Sequence, residues 1–127
     1  MSGILERQLG DLGERFGAVE HSRLPSGTVL VTVPAVPLVG WSAPLTSVRF
    51  LVPAGYPYAA LDCFWADPGL RLSTGALPMN AAEQNPIPED GGTGLWFSWH
   101  LQGPWDPNRD TLSSWMNTII DRLRRAV

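Results

Sequence analysis

Residues 51–57 read LVPAGYP, and residues 60–68 follow as ALDCFWADP. This stretch joins two apolar runs that are typical of strands through one aromatic-proline corner, Tyr56-Pro57. Proline fixes its own φ and lacks an N–H donor, so the chain turns here instead of continuing a strand. The stretch therefore predicts two neighbouring strands with a rigid corner between them.

The same stretch contains the only cysteine of the sequence, Cys63. Side chains alternate between the two faces of a strand, which places Cys63 with Leu61 and Trp65 on one face and Asp62 on the other. A reactive cysteine needs exposure and a lowered pKa, and an inward strand position supplies neither. The pattern therefore predicts an inert core thiol.

Two segments have the periodicity of amphipathic helices, one near each end of the sequence. The predicted inward positions are Leu5, Leu9, Leu12 and Phe16 in the first helix, and Leu112, Trp115, Ile119 and Leu123 in the second. Ser2 is a candidate cap and Gly17 a candidate stop for the first helix, and Asp110 is a candidate cap for the second.

Two β-branched runs, residues 29–33 and residues 48–52, alternate as half-buried strands do. The three prolines within residues 34–44 predict an irregular connection between them instead of a strand. Residues 96–101 predict a short extended piece. Residues 73–94 are rich in Gly, Pro, Asn and acidic residues and predict a long loop or flap.

Composition restricts the class of protein. A chain of 127 residues with 44% hydrophobic residues fits one folded domain over residues 1–127, and no apolar run reaches the roughly 20 residues that span a bilayer. The net charge of −3 argues against a large nucleic-acid interface. One cysteine and two histidines are too few ligands for a structural metal site, so we expect neither metal nor cofactor. The first residues carry no export or import signal, which predicts a cytoplasmic protein.

The order of elements, the Tyr56-Pro57 corner and the Trp105-Asp106-Pro107 turn resemble the ubiquitin-conjugating enzyme superfamily. The chain is most similar to its bacterial branch, prokaryotic family E, through four motifs in order: PAGYP (53–57), FWADP (64–68), AAEQ (81–84), and SWH (98–100) followed by Trp105. The resemblance implies an α/β (α+β) fold with an N-terminal helix, an antiparallel meander of three to four strands, a long flap and a C-terminal helix. It also implies two partners, a ubiquitin-like modifier and an activating-enzyme-like protein.

The resemblance also shows what this chain lacks. Standard members carry their thioester cysteine a few residues before the Trp-x-Pro turn, and here that region reads WFSWH at residues 96–100. Their His-Pro-Asn tripeptide is not recognisable either, and Asn80 and Asn85 are only loose candidates for its asparagine. What remains in this region is His100, and a histidine at this place resembles a feature of the bacterial branch.

The candidate catalytic residues are therefore His100 and Cys63. Imidazole titrates near neutral pH, so His100 could act as a general base or carry an acyl group briefly; alternatively it is a structural histidine bonded to a neighbouring backbone group. The candidate binding residues, from their match to the family motifs and their place near the expected site, are Tyr56, Trp99, Trp105 and Asp106, with Asp106 alternatively capping or positioning the last helix.

Three roles remain open from the sequence. The favoured role is a catalytically degenerate binding module or cofactor for the activating enzyme or the modifier. The alternatives are an active noncanonical transfer enzyme that uses His100 or Cys63, and a structural scaffold that joins pathway proteins.

Overall fold

The computed structural model describes residues 3–127, which form one helix, six strands and a second helix. The elements are α1 (Gly3–Phe16), β1 (Glu20–Arg23), β2 (Val29–Pro37), β3 (Leu45–Val52), β4 (Phe64–Ala66), β5 (Ala81–Ala82), β6 (Leu95–Phe97) and α2 (Leu112–Leu123). The strands pair antiparallel in one sheet with the order β1-β2-β3-β4-β6-β5. The predicted α+β fold is confirmed, with a larger sheet than the three or four strands expected.

Both helices bury the positions that their periodicity predicts. The buried members are Leu5, Leu9 and Leu12 in α1, and Leu112, Trp115, Ile119 and Leu123 in α2, while Phe16 is partly buried against the same core. Gly17 follows the end of α1 with a φ of +86°, which glycine adopts without steric cost, and its N–H donates to the Gly13 carbonyl at 2.9 Å. The candidate cap Ser2 lies outside the described residues. Neither helix of residues 3–127 is long and apolar enough to cross a membrane.

The cap of α2 is Thr111, so the prediction of Asp110 was wrong. The Thr111 hydroxyl accepts from the Ser114 N–H at 3.1 Å, and the Ser114 hydroxyl accepts from the Thr111 N–H at 2.8 Å. A cap of this kind contributes about 1 kcal/mol. Asp110 is one residue too early, and its carboxylate instead accepts from the Asp106 N–H at 2.8 Å.

Strand β2 continues to Pro37, through residues that were expected to leave the sheet. The pairing of β2 with β3 shifts register between Val33 and Val36. Pro34 lies within that irregularity, where the regular hydrogen-bond ladder is interrupted and a missing N–H donor is tolerated. The prolines therefore mark a bulge and a strand end, which the sequence interpretation took for an irregular connection.

Strands β1 and β5, which the sequence analysis did not predict, form the two edges of the sheet. All four residues of β1 are exposed, so its sequence has no apolar alternation to detect. Strand β5 is only two residues long and lies within the flap, where it pairs with β6. Backbone pairing with a neighbouring strand holds both edges in place.

The sheet carries apolar side chains on both faces. The larger cluster packs the sheet against α1 and α2, with Val31, Phe50 and Phe64 fully buried between them. The smaller cluster consists of Leu24, Leu30, Trp65 and Ile87. Ile87 belongs to the flap and is 1% exposed. The flap thus folds back over the outer face of the sheet instead of lying free.

Two polar contacts hold the flap on that face. The Trp65 indole N–H donates to the Asn85 carbonyl at 2.6 Å. The Glu89 carboxylate accepts from the Ser26 N–H at 2.8 Å and from the Ser26 hydroxyl at 2.6 Å, at the turn between β1 and β2.

Candidate functional site

The Tyr-Pro corner and the Trp-x-Pro turn contact each other directly. The Trp105 indole N–H donates to the Pro57 carbonyl at 2.7 Å, and the rings of Trp105 and Tyr56 lie 5.8 Å apart between centroids. The peptide bond between Tyr56 and Pro57 is cis. Two motifs that are far apart in the sequence therefore form one packed unit beside the start of α2.

Tyr56, a candidate binding residue, is only 7% exposed. Its hydroxyl donates to the Gln8 side-chain carbonyl, which also accepts from the Leu112 N–H at 3.0 Å. Burial raises the pKa of Tyr56 to about 12, and the negative charge of Asp110 acts in the same direction. Gln8 thus connects α1, the corner and the first turn of α2, and nothing in the sequence pattern singled it out.

Asp106 forms the turn that leads into α2. Its carboxylate accepts from the Asn108 N–H at 2.9 Å, and its carbonyl accepts from the Arg109 N–H at 3.0 Å and the Asp110 N–H at 2.7 Å. These bonds fix the turn that precedes the Thr111 cap. Asp106 therefore positions the last helix and does not cap it.

Cys63 does not lie on an inward strand face, so the prediction of a core cysteine was wrong. It precedes β4, has a φ of +62°, and is only partly buried. The left-handed backbone at this residue interrupts the alternation on which the prediction depended. Leu61 and Phe64 consequently face the helix-side core, while Trp65 faces the flap.

The surroundings of Cys63 favour the protonated thiol. Its N–H donates to the Trp99 carbonyl at 2.8 Å, which brings the segment before β4 against the segment after β6. Burial raises the pKa of the Cys63 thiol, and the adjacent Asp62 carboxylate raises the pKa further. A raised pKa lowers the thiolate fraction at neutral pH and with it the rate of nucleophilic attack.

His100 is exposed, with 72% of its side chain accessible, and its Nδ1 lies 3.4 Å from the Asp62 carboxylate. If His100 were structural, we expected it to bond a neighbouring backbone group. Its partner within residues 3–127 is instead the Asp62 side chain. Asp62 was expected to point away from Cys63, yet it lies against both candidate catalytic residues. The fold therefore gathers a thiol, a carboxylate and an imidazole at one accessible place.

Asn80 and Asn85, the two candidates for the family's asparagine, lie in different parts of the fold. The Asn80 carbonyl accepts from the Ser98 N–H at 2.8 Å, beside the WFSWH segment, and Asn80 has a φ of +64°. Asn85 lies with the flap on the outer face of the sheet, where its carbonyl binds Trp65. Only Asn80 therefore neighbours the segment that contains His100.

Trp99 is partly buried and lies against two arginines of the last helical turn and its continuation. The guanidinium carbons of Arg122 and Arg125 are 5.5 and 5.1 Å from its ring centroid. Residues this far apart in the sequence give no local signal of such a contact.

A helix before an antiparallel sheet, a Tyr-Pro corner bonded to a Trp-x-Pro turn, and a closing helix are features of the ubiquitin-conjugating enzyme class. The family described as Prokaryotic E2 family E matches residues 7–126. The chain belongs to this family. No curated protein and no solved structure matches it.

Proposed function

We propose that this protein is a binding module of a bacterial ubiquitin-like modifier pathway. It recognises the modifier or its activating enzyme in the cytoplasm and does not carry the modifier as a thioester. The ubiquitin-conjugating fold supplies a surface that stays complementary to such partners after the nucleophile is lost, because binding and catalysis depend on different residues.

The observation that carries the proposal is the missing nucleophile. The region before the Trp-x-Pro turn reads WFSWH at residues 96–100, with no cysteine. Thioester transfer requires a thiolate, since sulfur attacks as the anion. The single cysteine, Cys63, has a raised pKa beside the Asp62 carboxylate, which opposes formation of that anion.

Binding is tested with the purified protein, its cognate activating enzyme and its modifier, each mixed pairwise without ATP. We expect one of the two partners to co-elute with the protein in size-exclusion chromatography and to bind with the same affinity to the Cys63→Ser variant. His100→Ala should leave conjugation by the complete system unchanged. If neither partner binds the folded protein, the proposal is contradicted.

A second candidate function, an active transfer enzyme, is favoured by the cluster of Asp62, Cys63 and His100. In that reaction the Cys63 thiol gives its proton to the Asp62–His100 pair, and the sulfur attacks the thioester carbonyl that joins the modifier to the activating enzyme. The new bond joins Cys63 sulfur to that carbonyl carbon, and the thiolate of the activating enzyme leaves.

This second function predicts a specific covalent adduct between the modifier and this protein. The modifier would be bound to Cys63 through a bond that thiols cleave, and Cys63→Ser would abolish that thiol-sensitive adduct. All nine basic residues are arginine, so an adduct that survives thiol treatment cannot be an isopeptide on a lysine side chain. A thiol-sensitive adduct on Cys63 would contradict the binding-module proposal and support transfer of the modifier.

A further inference from the structure

A pocket of about 360 Å³ lies between the segment after β6 and the end of α2. Its walls are formed by Trp99, Gln102, Thr118, Asp121, Arg122 and Arg125. The pocket is separate from the Asp62–Cys63–His100 cluster, although Trp99 and His100 are consecutive. Its side chains are one aromatic ring, two neutral polar groups, two arginines and one aspartate.

Arg122 is the buried cation of this pocket. It is 1% exposed and lies over the rings of Phe97 and Trp99 at 5.1 and 5.5 Å. Its guanidinium donates to the backbone oxygens of Arg125 at 2.9 Å, Met79 at 2.7 Å and Val127 at 3.1 Å. No aspartate or glutamate within residues 3–127 pairs with it. Backbone oxygens therefore satisfy its donors, and no acidic side chain of these residues neutralises its charge.

Arg125 adds a second cation with free donors. Its guanidinium lies 5.1 Å from the Trp99 centroid, and it forms no hydrogen bond or ion pair with any described residue. Desolvation and the charge of Arg125 both lower the pKa of Arg122, which is the expected sign when two cations share a site. The one acid that lines the pocket, Asp121, lies 3.7 Å from Arg124.

We propose that this pocket binds the carboxylate of a peptide chain. A carboxylate accepts two parallel hydrogen bonds from a guanidinium, and the free donors of Arg125 offer that geometry. The indole of Trp99 gives a flat surface for the adjoining backbone, and the side chains of Gln102 and Thr118 can bond its amide groups. The inference goes beyond the proposed function, because it concerns the chemistry of one pocket and requires no pathway protein.

The probes are acetyl-tetra-alanine with a free C-terminal carboxylate and the same peptide as its C-terminal amide. Binding is followed by the ¹H–¹⁵N resonance of the Trp99 indole, assigned with Trp99→Phe. We expect the acid to shift this resonance with saturation and the amide to bind at least roughly tenfold more weakly, since the charge-assisted bonds are lost. Equal binding of acid and amide, or no binding of either, would overturn the proposal.

Three variants link the binding to the pocket. Arg125→Gln should weaken binding of the acid roughly tenfold, whereas Arg7→Gln, which removes the same charge from an exposed residue of α1 that does not line the pocket, should have little effect. Asp121→Asn should strengthen binding of the acid, an outcome that damage to the fold would not produce. Equal losses in Arg125→Gln and Arg7→Gln would show non-specific charge attraction and overturn the site.

Inorganic phosphate distinguishes a peptide site from a general anion site. We expect phosphate at the same concentration to leave the Trp99 indole resonance unshifted at constant ionic strength, because it makes no contact with the indole face or with backbone-binding side chains. A phosphate-induced shift as large as that produced by the peptide acid would contradict the peptide assignment.

Discussion

Gln8 joins α1, the Tyr56 corner and the start of α2 through one carbonyl oxygen, so its removal should destabilise the whole packed unit. The residue is 9% exposed, and its oxygen accepts from the Tyr56 hydroxyl and from the Leu112 N–H. The change Gln8→Leu keeps a similar volume but leaves both donors without this acceptor. Each buried, unsatisfied donor costs about 1–3 kcal/mol, so with two such donors we expect the free energy of unfolding to fall by about 2–6 kcal/mol.

The measurement is urea unfolding followed by circular dichroism, with Tyr56→Phe as the matched partner. Tyr56→Phe removes one of the two donors, so Gln8→Leu should cost about 1–3 kcal/mol less in that background than in the wild type. If the slope of the unfolding free energy against urea concentration is unchanged, the substitution has changed the stability of the folded contacts and not the surface exposed on unfolding. If Gln8→Leu costs the same in both backgrounds, the Tyr56–Gln8 bond contributes nothing and the reasoning is refuted.

Three further outcomes test other parts of the structure. The pKa of Tyr56 is raised to about 12 in the folded protein, above its unfolded value of about 10. Its contribution to the free energy of unfolding is therefore complete below pH 10 and is lost as the pH rises through 12. Over this range the wild type should lose roughly 2–3 kcal/mol more stability than Tyr56→Phe, as measured by urea unfolding. Because the pKa of Cys63 is raised, iodoacetamide should alkylate it more slowly at pH 7.5 than free cysteine, and Asp62→Asn should accelerate the reaction, while an unchanged rate would contradict the electrostatic argument. A Cβ at Gly94 would lie 2.9 Å from the Ala66 carbonyl oxygen, so Gly94→Ala should destabilise by about 1–3 kcal/mol, whereas Gly69→Ala, with no atom within 4 Å, serves as the control and should show no such loss in thermal unfolding.

Much of the fold could be predicted because it is encoded in short-range periodicity. The leucines of α1 and the valines of β2 and β3 repeat at the spacing of a buried face, and the structure buries those residues. The Tyr56-Pro57 corner and the Trp105 turn were recognised as separate motifs. Their mutual contact depends on the tertiary fold, which periodicity does not encode.

Two of the errors, at Cys63 and at Pro34, share a physical cause, a local departure from regular strand geometry. The φ of +62° at Cys63 ends the alternation before β4 begins, and so moves the thiol from the predicted core to a partly exposed position beside Asp62. The register shift in β2 allows Pro34 within a strand. Propensity and alternation assume regular dihedral angles, so they fail where one residue departs from them.

The candidate site was predictable in its parts but not in its arrangement. His100 was identified by its place before the Trp-x-Pro turn, whereas Asp62 could have been noticed only as the acid next to the single cysteine. Nothing local in the sequence places Arg122 and Arg125 against Trp99. Such contacts between distant segments require the sheet order and the position of α2.

The central claim, that the protein takes part in a modifier pathway without carrying the modifier, is tested most directly by intact mass spectrometry. The protein is incubated with the cognate activating enzyme, modifier and ATP, then analysed without reductant. The account predicts that the mass of the chain stays unchanged while the activating enzyme becomes charged with modifier. An added modifier mass that disappears with reductant and is absent from Cys63→Ser would contradict it.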